Sequence, residues 1–181
     1  MKYRWKRDSY RYKMISFVLL IVVASLLIYI FWPREVEHFA QELILPELST
    51  FGFSKVEKIE TAVLGNVGAV SLKVDCYDLT ANVEASQAES IQRGLDKTYL
   101  ARPNAHDIVA DAFKSLGISV LMVKVTELKE SSFYSKLILR QGNTVLSLDA
   151  RPSDAIAIAL RLNSPIYVNS TLLKEVGKKI C

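Results

Sequence analysis

The chain has 181 residues, half of them hydrophobic, with 23 Lys and Arg against 19 Asp and Glu for a formal net charge of +4. That length allows one domain with a real core plus a further segment. Six of the bases (Lys2, Arg4, Lys6, Arg7, Arg11, Lys13) and one acid (Asp8) fall in the first 13 residues, leaving 17 basic and 18 acidic residues beyond them; so neutral a remainder excludes strong sequence-independent binding of nucleic acid through bulk charge and leaves only a local patch for it.

Residues 14–32 read MISFVLLIVVASLLIYIFW, 19 residues without a charge. At about 1.5 Å per residue they nearly cross a hydrocarbon core of about 30 Å, which predicts a transmembrane helix. The basic flank 1–13 then lies in the cytoplasm and everything after Pro33 outside it, with Tyr29, Phe31 and Trp32 at the outer headgroups. A cleaved secretory signal is the competing reading, because Val22-Val23-Ala24 before Ser25 loosely fits a small-residue cleavage site; the apolar run LLIYIFW beyond that point favours an uncleaved signal anchor in the cell membrane, single-pass. In residues 33–53, Val36, Phe39, Ala40, Leu43 and Ile44 form one apolar helical stripe ended by Pro46, a predicted juxtamembrane amphipathic helix and linker.

The predicted domain occupies 54–181. VEKIETAVL and VGAVSLKVDCY are read as two strands about Gly65-Asn66, and EASQAESIQRGL (84–95) as a helix. In ARPNAHDIVADAFKSLGI (101–118), Ile108, Val109, Ala112, Phe113 and Leu116 make a helical stripe with Gly117 at its C-terminal cap. ISVLMVKVTEL, FYSKLILRQ and TVLSLDA are read as three strands, the last two joined at Gly142-Asn143. The stretch LDARPSDAIAIALRL (148–162) alternates like a strand, but Pro152 suits a first helical position and the alanines favour helix, so a helix buried on several sides is predicted. A short strand IYV and a terminal helix STLLKEVGKK (170–179) follow. Strands in runs, mixed with helices, indicate an α+β domain: a mixed, largely antiparallel sheet packed with helices, preceded by one transmembrane helix. The tripeptide Ala-Arg-Pro occurs at 101–103 and again at 150–152, each before an acid and an apolar helix, which suggests two similarly built helix starts.

Cys76 and Cys181 could form one disulfide outside the cytoplasm. The favoured expectation leaves them unlinked, since a C-terminal residue is seldom held in place.

Chemistry concentrates around the start of the 152 helix, where Asp149, Arg151, Ser153 and Asp154 cluster. One reading is purely structural: Asp154 caps the helix and Arg151 pairs with Asp149 or Asp154. The other takes the helix start and arginine as an anion site, beside carboxylates able to hold a divalent cation or orient water for attack on a phosphodiester. Arg102, His106 and Asp107 would supply a second group, His106 as acid or base. Zinc-type cysteine pairs, a phosphate-binding Gly-Lys loop, a nucleophile elbow and the His-Glu-x-x-His motif are all lacking from the sequence.

RPNAHD (102–107), FYSKLILRQG (133–142) and DARPSDAIAIALRLNSPIYV (149–168) closely resemble the bifunctional nuclease domain family, whose members read RP-x-x-HD, a strand pair ending in a Q-x-G turn, and DARPSDAIALALR…PIYV. The resemblance runs from about Val56 to Leu173. It implies an α+β domain, a homodimer, and cleavage of both DNA and RNA in some members. The matching polar positions are Arg102, His106, Asp107, Arg140, Asp149, Arg151, Ser153 and Asp154. A family pattern I-G-x-x-E-A-x-A-I is replaced at 83–91 by Val-Glu-Ala-Ser-Gln-Ala-Glu-Ser-Ile, so the glycine becomes Glu84 and the glutamate becomes the neutral amide Gln87.

The expectation is therefore a membrane-anchored nuclease acting on DNA or RNA. His106, Asp107, Asp149, Arg151 and Asp154 are its candidate catalytic residues, Arg102, Arg140 and Ser153 its substrate contacts, and Asp149 and Asp154 ligands for a divalent cation, Mg or Mn. The alternative is a non-catalytic extracytoplasmic dimerisation or binding module of the same fold.

Overall fold

A computed structural model of the chain describes residues 2–31 and 45–181, divided between two units, Met1–Pro46 and Glu47–Cys181. In the first, helix α1 (Lys2–Phe31) carries the apolar run, and its side chains from Met14 to Tyr29 are exposed. Among the described residues no helix is long and apolar enough to cross a membrane; the run continues through Ile30, Phe31 and Trp32, whose side chains lie outside those described. The juxtamembrane helix expected over 36–44 also falls outside the described residues.

The second unit begins at a strap. Lys124, 5% exposed, donates from Nζ to the carbonyls of Glu47 and Ser49, both at 2.5 Å, and stands 5.0 Å from the Phe53 ring centre. Burial pulls this ammonium below the ordinary lysine range, against the opposing pull of Glu47. The contacts fasten 47–53 to the domain and lead into β1 (Phe53–Lys55).

Two sheets follow where one was expected. Strands β2 (Lys58–Leu64) and β3 (Val67–Val74) form the hairpin read about Gly65-Asn66, and β3 buries Gly68, Val70, Leu72 and Val74 on alternate positions. A further strand, β4 (Tyr77–Glu84), turns back from β3 through Asp75, whose φ of 50° makes the tight reversal. The larger sheet holds β5 (Ser119–Lys129), β6 (Ser132–Gln141), β7 (Thr144–Ala150) and β8 (Ile166–Asn169) in the order β1-β8-β5-β6-β7; only β5 and β8 run parallel. The mixed, largely antiparallel character expected from the sequence is what these pairings show.

Helix α2 (Ala85–Asp96) lies on β2 and β3, α4 (Pro152–Arg161) lies on β5 and β6, and the two helices pack against each other, with α3 (Ala105–Ser115) against α4. Close approach is set by two glycines. A Cβ at Gly68 would fall 2.5 Å from the Ala88 Cβ, and one at Gly94 would fall 3.0 Å from the Leu160 Cβ. Ala155 to Ala159 are all buried, as a helix apolar on several sides requires. Val70, Leu72 and Leu79 share one core with Val123, Val125, Leu137, Ile91 and Ile156.

The C-terminus departs from expectation. α5 (Ser170–Val176) stops before the extended Gly177, and β9 (Lys178–Lys179) completes the order β2-β3-β4-β9 by pairing with β4. The backbone N–H of Ile180 donates to the Cys76 carbonyl at 2.9 Å. Cys181 is thus held in place and forms a disulfide with Cys76, 105 residues away. The unlinked pair expected from the sequence is corrected by this strand, which removes the fraying on which that expectation rested.

Candidate functional site

Three helices begin in one neighbourhood. α2 starts after Glu84, and its third residue is Gln87. Asn104 caps α3: its Oδ1 accepts from the Asp107 N–H at 3.0 Å, while the Asp107 Oδ2 accepts from the Asn104 N–H at 2.9 Å. α4 starts with Pro152 after Arg151, and Asp154 is its third residue. The two Ala-Arg-Pro copies therefore serve differently. Pro152 is the first residue of its helix, whereas Pro103 lies ahead of the cap Asn104.

The polar side chains of these turns interlock. Asp154 Oδ1 lies 3.2 Å from His106 Nε2, and Asp154 accepts from Arg151 Nε at 2.7 Å and Nη2 at 3.3 Å. His106 Nδ1 lies 2.9 Å from the Ser90 hydroxyl, which also accepts from Asn104 Nδ2 at 3.0 Å and Arg161 Nη2 at 3.2 Å. Gln87 reaches the same arginine. With its amide oxygen turned that way it accepts from Arg151 Nη1 and Nη2, both at 3.2 Å. Turned the other way it accepts only the Glu84 N–H, at 3.3 Å. Two charge-assisted contacts outweigh one long backbone contact, so the oxygen faces Arg151.

Burial would raise the Asp154 carboxyl, but hydrogen bonds from Arg151 and His106 outweigh it and hold the group below the usual carboxylate range. The cluster opens outward. The Arg151 side chain is 70% exposed, Asp154 27% and His106 18%. An exposed guanidinium beside an ionised carboxylate, over converging positive helix ends, can take a phosphate and offer a proton acceptor next to it.

The other expected site residues are placed elsewhere. Asp107 is buried and gives its carboxylate to Arg161 Nε (2.5 Å) and to the cap of α3, so it joins α3 to α4. Asp149 is exposed on β7 and paired with Lys136 at 3.3 Å. Ser153 is buried at the wall of an apolar cavity of about 40 Å³, with Val83, Phe133 and Pro152. Arg102 is exposed ahead of α3. Arg140 lies five residues along β6 from Ser135, which stands opposite Ala150, and five residues of strand are roughly 16 Å. As arranged, the carboxylates do not fit a bound divalent cation: Asp154 is taken by Arg151 and His106, Asp149 by Lys136, and among the described residues no three His, Cys, Asp or Glu side chains gather to hold a metal.

Sequence reasoning did not reach Ser90, Asn104 or Arg161. Asn104 just before an apolar helix is a cap signal, and an arginine inside an otherwise apolar helix signals a buried partner. Ser90 carries no such mark.

The sequence profile of the Bifunctional nuclease domain matches residues 72–180. The chain belongs to the bifunctional nuclease domain family. Bifunctional nuclease 1 of Oryza sativa subsp. japonica is 34% identical over 118 residues, 62% of this chain and 36% of that protein. Bifunctional nuclease 1 of Arabidopsis thaliana is 32% identical over 93 residues, 50% of this chain and 29% of that protein. A Mycobacterium tuberculosis (strain H37Rv) relative, described as an uncharacterized protein, is 37% identical over 94 residues, 52% of this chain and 54% of its own length. The chain thus spans about half of the mycobacterial relative and about a third of the plant ones. Gln87 is the side chain that meets Arg151 beside Asp154, so the arginine has one hydrogen-bonded carboxylate and one neutral amide as its partners here.

Proposed function

We propose that the domain hydrolyses phosphodiester bonds of DNA or RNA at the Arg151–Asp154–His106 cluster, and that the uncharged run 14–32 anchors it in a membrane with the domain on the extracytoplasmic side. The observation that carries the catalytic part is the exposed Arg151 guanidinium held on an ionised Asp154 where three helices start. A substrate phosphate competes with Asp154 for Arg151. Once freed from that pairing, the carboxylate becomes a better proton acceptor. Water attacks phosphorus, its proton passes to the Asp154–His106 pair, and the bond to the leaving oxygen breaks; that oxygen takes a proton from solvent. The two plant relatives are named as nucleases, which supports the same reading. Membrane anchoring is supported by the uncharged run 14–32 behind a basic flank, and the extracytoplasmic side by the Cys76–Cys181 disulfide, a bond that persists in oxidising compartments.

The test is cleavage of labelled single- and double-stranded DNA and RNA by the full chain in detergent, with Mg, with Mn and with chelator. Product in any arm supports the reading. Activity that survives chelator fits the cluster as arranged, activity only with a cation restores the divalent-ion expectation, and no product in any arm removes the nuclease.

One observation favours the dimerisation module, alone or alongside catalysis. β7 is an edge strand, and Leu146 and Leu148 are 47% and 43% exposed although they stand opposite buried Leu139 and Leu137. Antiparallel pairing of two β7 strands about Ser147 sets Leu146 of one copy against Leu148 of the other. Sedimentation of the wild type and of Leu148→Lys decides it: a dimer lost in the variant supports the edge, and a wild-type monomer at every concentration removes it.

A further inference from the structure

Ser90 is 2% exposed on α2, yet its hydroxyl meets three polar groups, from α3, from the α3 cap and from α4. Two of these are donors only. The Asn104 amide is fixed because its oxygen already accepts the Asp107 N–H, which turns Nδ2 toward Ser90. Arg161 Nη2 has no acceptor to offer. A hydroxyl has two acceptor positions and one hydrogen. With both acceptor positions filled, the Ser90 hydrogen goes to the remaining neighbour, His106 Nδ1. That nitrogen is therefore an acceptor, and the imidazole carries its hydrogen on Nε2, which points at the Asp154 carboxylate. The donor sense runs in one direction from the interior to the mouth: Arg161 and Asn104 to Ser90, Ser90 to His106, His106 to Asp154.

We propose that Ser90 is a positioning residue that fixes His106 as its Nε2–H form, so that the imidazole orients Asp154 and the carboxylate is the group that takes the proton from water. The catalytic half of this rests on the nuclease reading. In the step, the water oxygen bonds to phosphorus, its proton moves to Asp154, and the P–O bond breaks toward the leaving oxygen, which is protonated by solvent. His106 then neither gains nor loses a proton; it holds the acceptor in line, as the third member of a triad orients its base. Arg161, pinned by Asp107 Oδ1 and by the carbonyls of Ser90 and Ala157, supplies the fixed donor at the inner end.

The test is the nitrogen tautomer of His106, read by long-range nitrogen–proton NMR on the full chain in micelles, with His38→Gln leaving a single imidazole. One Nε2–H form is expected in this background, and Ser90→Ala should give a mixture of both forms. A wild-type ring with hydrogen on Nδ1, or an averaged ring, overturns the proposal without any variant, as does an unchanged pattern in Ser90→Ala. In the cleavage assay Ser90→Ala should lower kcat roughly tenfold, the worth of one hydrogen bond, with KM little changed; full kcat overturns the positioning role. The expected tautomer with no cleavage by the wild type leaves the wiring standing and removes the nuclease, whereas cleavage with the wrong tautomer does the reverse.

Discussion

Arg161 Nε lies 2.5 Å from Asp107 Oδ1 in a contact where the two side chains are 3% and 4% exposed. It joins the end of α4 to the start of α3, and so holds His106 and Asp154 at their 3.2 Å separation. Removing one partner leaves the other charge buried and unpaired. Arg161→Leu is expected to lower the unfolding free energy by about 3–5 kcal/mol, and adding Asp107→Leu to recover much of it. Urea denaturation checks both; a single variant as stable as wild type would contradict the assignment.

Acid should unfold the domain through two carboxylates. Burial would raise both groups. Hydrogen bonds from Arg161 and Asn104 outweigh it at Asp107, and those from Arg151 and His106 outweigh it at Asp154, so both titrate below the ordinary value of 3.8. A carboxyl depressed in the folded state contributes stability that is complete above its unfolded pKa and is lost as pH falls through the folded one. The melting temperature is expected to hold from neutral pH to about 5 and to drop below about 4, and less steeply in Asp154→Asn. An acid limb identical in wild type and Asp154→Asn would remove Asp154 from the account.

Reduction should loosen the C-terminus. The Cys76–Cys181 bond closes a loop with a sequence separation of 105, and constraining the unfolded chain over that length is worth about 4–5 kcal/mol. Dithiothreitol, or Cys76→Ser with Cys181→Ser, is expected to lower the melting temperature and expose the amides of β9 to hydrogen exchange. No change in either would mean that β9 alone secures the end.

Gly68→Ala tests the seat of α2. The new methyl would stand 2.5 Å from the Ala88 Cβ, so the helix must lift from β3. A loss of about 1–3 kcal/mol is expected by urea denaturation. A variant as stable as wild type would show that α2 rides further out than described.

Much of this was legible in local pattern. Pro152 with the alanines placed α4, and the β-branched runs about Gly65-Asn66 gave a hairpin. β4 escaped because YDLTANVE mixes Asp and Asn among its apolar positions and turns on the non-glycine Asp75. β9 is too short to show a period, and with it went the disulfide. At the site, the residue types around Arg151 and His106 were visible, but their contacts depend on how three helix starts meet. Asp107 and Asp149 looked like partners of that cluster by type and motif. Asp107 instead serves Arg161, at a sequence distance of 54, and Asp149 serves Lys136 across a strand pair. Arg161 itself reads as a basic residue favourable to a helix C-terminus, which hides its inward turn.

The claim that Asp154 takes the proton beside an Arg151-bound phosphate is tested most directly by the cleavage rate of Asp154→Asn in the full chain, alongside its circular dichroism. The substitution keeps the size of the side chain and removes the charge. A fall of about 100-fold or more in kcat with the spectrum unchanged is the expected result; cleavage at the wild-type rate by a folded Asp154→Asn protein would contradict the account.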